Sequence, residues 1–160
     1  MKITSLAVFC ASKYGKNPIY ETHAKAIGKG LAASGIKLVY GGGSVGLMGA
    51  VANACLQQGG LVTGIIPEVL LQWEQYHKGL TELLVVPDMH VRKRTLYEQC
   101  DAALILPGGF GTMDELFEML TWNQLKIHEK KIFLLNSAGF YDGLILHLHQ
   151  LEKEGLLYDR

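Results

Sequence analysis

Short apolar runs alternate along the chain with longer stretches whose apolar residues recur every three or four positions. The runs at 4–10, 37–40, 61–66, 83–86, 102–106 and 132–135 are nearly continuous. Such runs predict strands covered on both faces, because a strand with one wet face alternates instead. Between them, residues 19–33, 47–58, 89–99, 113–125 and 142–154 carry helical spacing. Met113, Leu116, Phe117 and Leu120 form one stripe, and Leu144, Ile145, Leu148 and Leu151 form another. Strand and helix in alternation predict an α/β fold, a doubly wound, mostly parallel, Rossmann-like sheet with helices on both faces. There is no internal repeat or linker, so residues 1–160 read as one domain. A chain of this length buries a core without a disulfide or metal. The stretch 67–81 is the one long irregular segment, and segments of that kind often carry function.

Charge and cysteine content narrow the class. Fifteen basic and fifteen acidic residues leave no net charge. The general electrostatic pull toward nucleic acid or an anionic membrane is therefore missing. The longest apolar run, 6–11, is far short of the ~18 residues a membrane span needs. The apolar N-terminal run is also shorter than a secretory core of about 7–15 residues and reads as a first buried strand. Cys10, Cys55 and Cys100 are odd in number and form no C-x-x-C pair. They read as reduced core thiols of a cytoplasmic protein, and no residue set has metal-ligand spacing.

Glycine is the compositional outlier, at 19 of 160 residues against a usual ~7%. The glycines gather just after two strands. Gly41-x-Gly43-x-x-Gly46 matches the dinucleotide-binding fingerprint in letters. It lies on the second strand rather than the first, however, and where the fingerprint expects a ribose-binding acid at the next strand's end, that strand ends in Pro67 and Glu68. Close strand–helix packing and a phosphate or ribose contact explain these glycines equally well. No G-x-x-x-x-G-K-[ST] loop is present, which excludes a P-loop triphosphatase.

The second cluster, Pro107-Gly108-Gly109-Phe110-Gly111-Thr112, runs from a strand into an amphipathic helix. A turn of that kind aims unpaired backbone N–H groups and the positive end of the helix dipole at one point, which favours a bound phosphate. The competing reading is chain reversal with Thr112 as helix cap. Thr112-Met113-Asp114-Glu115 also fits the capping box, in which Glu115 bonds back to the Thr112 N–H. A carboxylate beside a phosphate seat equally suits a sugar carbon, so both readings of Glu115 stand. Upstream, Arg92 and Lys93 lie near the start of a helix, where cations oppose the dipole unless an anion accompanies them.

PGGFGTMDE (107–115), MHVRK (89–93) and GGGSVGLMG (41–49) together resemble the LONELY GUY (LOG) family, the cytokinin riboside 5′-monophosphate phosphoribohydrolases long labelled lysine decarboxylases. The resemblance spans nearly the whole chain. It implies hydrolysis of the N-glycosidic bond of adenine-type nucleoside 5′-monophosphates, without a cofactor. It places the catalytic residues at Arg92 and Glu115 and the phosphate turn at Gly108, Gly109, Phe110, Gly111 and Thr112. Further substrate contacts fall on Lys93, Met113, Asp114, Glu74 and Thr121. It also implies a homodimer formed through 113–125, with the site near the subunit boundary, and a C-terminus shorter than is usual for the family. Glycosidic cleavage passes through an oxocarbenium-like sugar, which a nearby carboxylate would stabilise. The alternative is a nucleotide-binding carrier on the same fold, which would need only the glycine turn.

Overall fold

The computed structural model describes residues 2–73 and 75–158. Six strands, β1 (Ser5–Phe9), β2 (Lys37–Tyr40), β3 (Val62–Pro67), β4 (Glu82–Val86), β5 (Ala102–Ile105) and β6 (Lys131–Leu134), pair in parallel. Their order across the sheet is β4-β3-β2-β1-β5-β6. The helices are α1 (Ile19–Ala33), α2 (Gly46–Gln57), α3 (Glu68–Leu71), α4 (Met89–Glu98), α5 (Phe110–Gln124) and α6 (Asp142–Lys153). The chain forms the Rossmann-like α/β fold that the alternating pattern predicts.

The continuous apolar runs have a direct physical cause. In β1 every residue is buried, and successive side chains enter opposite layers. Leu6 and Val8 join a core with Ala24, Leu31, Val51 and Cys55 of α1 and α2. Ala7 and Phe9 join Leu96, Tyr97, Leu116 and Met119 of α4 and α5 on the other side. All three cysteines are free and buried in these layers.

Two boundaries depart from the periodicity. Helix α5 begins at Phe110, ahead of the apolar stripe that starts at Met113. The stretch 67–81 is not wholly irregular, since it contains α3 and a bridge between Gly43 and Tyr76.

The sheet order creates one special crevice. From β1 the chain winds outward through β2, β3 and β4, then crosses back to place β5 on the other side of β1. The loops leaving β1 and β5 therefore diverge, and ligands of doubly wound sheets bind where such loops part, at the carboxyl ends of the strands.

Candidate active site

A cavity of about 510 Å³ occupies that crevice. One wall is the loop after β1, including Ser12 and Lys13; another is Gly41 and Met48 after β2. Arg92 of α4 reaches in from the side, and the turn into α5 closes the cavity with Gly109, Phe110, Gly111, Thr112 and Glu115.

The α5 wall is built from backbone. Gly109 precedes the helix, and no side chain caps it. The first turn of a helix has leading amides with no carbonyl of their own to meet. Here they belong to Phe110, Gly111 and Thr112, all on the cavity wall, and the first helical bond runs from Met113 N–H to the Gly109 carbonyl at 3.1 Å. This geometry removes the capping-box reading: Thr112 lies within the first turn rather than before it, so Glu115 is not in register to bond back to a cap. Gly108 stands behind the wall, where a β-carbon would overlap the side chain of the buried Thr112. Gly109 and Gly111 face open space. Phe110 lies at the rim, 95% exposed.

Glu115 sits one turn further along α5, half-buried and on the cavity wall. Its backbone carbonyl accepts a hydrogen bond from the Tyr97 hydroxyl at 3.2 Å, which ties α5 to α4. The nearby Cys10 thiol is held far above its ordinary pKa, chiefly by burial and then by the Glu115 charge. Cys10 is therefore a neutral thiol and no nucleophile, because only the thiolate attacks.

Arg92 is only 5% exposed. Its Nε donates to the Ile65 carbonyl at 3.0 Å and its Nη2 to the Gly41 carbonyl at 2.8 Å, at the ends of β3 and β2. Helix α4 that carries it is capped by the Asp88 carboxylate, which accepts from Val91 N–H at 2.8 Å. The next residue behaves differently. Lys93, also buried, pairs with Asp114 at 3.1 Å and with Glu118, so the anion that balances this cation lies on α5. Burial alone would lower the Lys93 pKa, but the two carboxylates outweigh it and the pKa is raised.

The structure thus brings Arg92, Gly109, Phe110, Gly111, Thr112 and Glu115 to one cavity. Lys93 and Asp114 are joined in their ion pair outside its wall. Met113 packs into the core layer beneath α5, and the exposed Thr121 bonds the Phe117 carbonyl at 2.7 Å. Glu74 lies outside the described residues. Sequence reading missed Ser12, Lys13 and Met48, and their only signal was position after β1 and β2 in a doubly wound sheet.

The loop after β1 is wedged in place. Ala11 N–H donates to the Pro107 carbonyl at 3.1 Å, and the Ala11 carbonyl accepts from Met48 N–H at 3.2 Å. Gly46, with φ of +63°, presses its Cα face against the Ser12–Lys13 backbone. The Gly41–Gly43 turn has all three carbonyls engaged: Gly41 by Arg92, Gly42 by His77 N–H at 2.8 Å, and Gly43 by the Tyr40 hydroxyl at 2.8 Å. All three carbonyls of this fingerprint-like segment are thus occupied within the protein, and Gly41 lines the cavity whereas Gly42 and Gly43 do not.

Among the described residues no helix is long and apolar enough to cross a membrane, and no group of three or more His, Cys, Asp or Glu side chains could hold a metal ion.

Residues 48–160 match the family model described as "Possible lysine decarboxylase". The chain is 45% identical over 152 residues to a probable cytokinin riboside 5′-monophosphate phosphoribohydrolase of Oryza sativa subsp. japonica, covering 95% of this chain and 68% of the relative. It is 46% identical over 154 residues to the cytokinin riboside 5′-monophosphate phosphoribohydrolase of Rhodococcoides fascians, covering 96% and 78%. Against other rice relatives it spans 62% of their length. Among solved structures, the Moco carrier protein of Chlamydomonas reinhardtii superimposes with a TM-score of 0.69 at 19% identity, over 96% of this chain and 99% of that one. At that identity the likeness is one of fold alone. With a matched family model and relatives this similar, the chain belongs to the LOG family, that of the cytokinin riboside 5′-monophosphate phosphoribohydrolases.

Proposed function

We propose that this protein hydrolyses the N-glycosidic bond of adenine-type nucleoside 5′-monophosphates, AMP or its prenylated forms, to free base and ribose 5-phosphate. The observation that carries the reading is convergence: Arg92 and Glu115, from different helices, line the same cavity as the amide end of α5. A carrier needs the amides alone. The phosphate sits on the leading amides at Phe110, Gly111 and Thr112, with Gly108 making room for Thr112 behind them. That remote contact orients the ribose, so binding energy is converted into alignment of the reacting carbon. Glu115 faces the anomeric carbon, stabilises the oxocarbenium-like sugar and takes a proton from the attacking water. As the C1′–N bond breaks, its electron pair leaves with the base, and the Arg92 charge offsets the density gathering there. The proton that Glu115 took from water is given up through solvent to the base nitrogen, restoring the carboxylate.

The reading extends to a homodimer. Asp114, Phe117 and Thr121 of α5, with Leu125 directly after it, are all exposed and follow the spacing of one helix face. Two of the four are large and apolar, which supports that face as the subunit boundary. Substrate contacts at Lys93, Met113, Asp114, Thr121 and Glu74 are carried into this proposal from the family resemblance. The free, buried thiols support a reducing compartment, the cytoplasm.

The test is Glu115→Gln, which preserves size and removes the base. Turnover is expected to fall by about 10²–10⁴-fold, with nucleotide binding retained by calorimetry. Wild-type release of adenine by the variant would remove Glu115 from the reaction. Release from AMP and isopentenyladenosine monophosphate but little from adenosine is expected for the parent. No release from either monophosphate would favour the carrier.

A further inference from the structure

Arg92 owes its place to a neighbour that carries no side chain. Its guanidinium lies across the end of β2, with Nη2 on the Gly41 carbonyl at 2.8 Å and Nε on the Ile65 carbonyl at 3.0 Å. A β-carbon on Gly41 would stand 2.5 Å from Nη2 and 3.2 Å from Met48 Sδ. The backbone itself asks for no glycine there, since the φ of Gly41 lies outside the left-handed region, unlike that of Gly42 at +83°. The pressure for glycine at this position therefore comes from the guanidinium.

We infer that Gly41 is a positioning residue for the reaction: its missing side chain lets the Arg92 guanidinium rest on the β2 carbonyl and face the cavity. The inference rests on the role given to Arg92 above. It also makes a separable prediction. The atoms a Gly41 β-carbon would meet are the tips of two flexible side chains, not backbone. Alanine fits the fold while the guanidinium swings aside. Misplacing a reacting group by about 1 Å can cost about 10²-fold in rate. Gly41→Ala is therefore expected to lower kcat about 100-fold. The KM for the nucleotide should change little, because the α5 amides are untouched.

The experiment is a four-member cycle of the parent, G41A, R92A and G41A/R92A. With Arg92 absent, the Gly41 substitution should cost about threefold or less, the mark of two residues acting as a unit. An equal loss in both backgrounds would overturn the inference. A second readout does not depend on turnover: the Arg92 Nε–H resonance, identified by its disappearance in R92K. It should be protected from solvent exchange in the parent and exposed in G41A. A resonance equally protected in G41A would overturn the inference even if activity fell. Should R92A hydrolyse at the parental rate, the catalytic role of Arg92 fails, and the resonance still decides whether Gly41 seats it.

Discussion

The two glycine-rich turns look alike in sequence and do opposite things. After β2, the carbonyls of Gly41, Gly42 and Gly43 each accept a donor from the protein: Arg92, His77 N–H and the Tyr40 hydroxyl. After β5, the turn through Gly109 points amides inward at the start of α5, and no side chain caps them. The first turn holds a cation in place, and the second is suited to an anion. Glycine content alone reports that the backbone comes close to something. Both turns connect a strand to a helix, so the polarity presented depends on the path the backbone takes between the two, which the three-dimensional structure shows.

The largest expected effect tests the closeness of the first turn. A β-carbon on Gly46 would overlap the Ser12 and Lys13 backbone, which cannot rotate away, and its φ of +63° strains any other residue. Overpacking and left-handed strain together predict that Gly46→Ala loses about 3 kcal/mol of folding stability. Urea denaturation measures this, and a loss below about 0.5 kcal/mol would mean that the loop is not wedged there. Gly108→Ala probes the second turn. Its β-carbon would overlap Thr112 Oγ1 and stand 2.5 Å from Thr112 Cβ, which is fixed to the helix, so the first turn of α5 must shift and the amide wall with it. The KM for nucleoside monophosphates should rise about tenfold, equivalent to about 1.4 kcal/mol, with hydrolysis of adenosine unaffected. Gly111→Ala, facing open space, is the control and should leave stability within about 0.5 kcal/mol. If Gly108→Ala raised the KM for adenosine as much as for AMP, the amide wall would not be a phosphate seat.

These contrasts show what the chain's letters carried. The strands were legible because β1 is buried on both faces and so reads as a continuous run. The α5 turn was legible because its glycines run directly into the helix start, where unpaired amides and the dipole together favour an anion. The start of α5 was not, since Gly109 caps it without a side chain and Phe110 is exposed, leaving no periodic mark. The fates of Arg92 and Lys93 were equally hidden. Two adjacent cations on one helix point in different directions, and one meets carbonyls across the sheet while the other meets carboxylates on α5. Local spacing contains neither partner. The roles of Ser12 and Lys13 depend on strand order, which places the loop after β1 opposite the turn after β5.

The smallest expected effect sharpens the amide side of the comparison, because the fold already contains an anion held by amides. The Asp101 carboxylate accepts from Thr4 N–H at 2.7 Å, Ser5 N–H at 3.0 Å and the Thr4 hydroxyl at 2.8 Å. Those bonds, led by the Thr4 amide, depress its pKa from the ordinary 3.8 to about 2. A depressed carboxylate stabilises the fold above its unfolded pKa and loses that contribution as pH falls through the folded one. The parent should therefore be more stable than Asp101→Asn above about pH 4, with the difference shrinking toward pH 2. Because the group is near solvent, the effect should be small and should weaken in salt. Paired thermal melts across that range measure it, and parallel curves for parent and variant would show that the amides do not favour the charged form. A clear slope would show backbone amides and side-chain hydroxyls holding an anion in this fold, the same chemistry that the start of α5 offers to a phosphate.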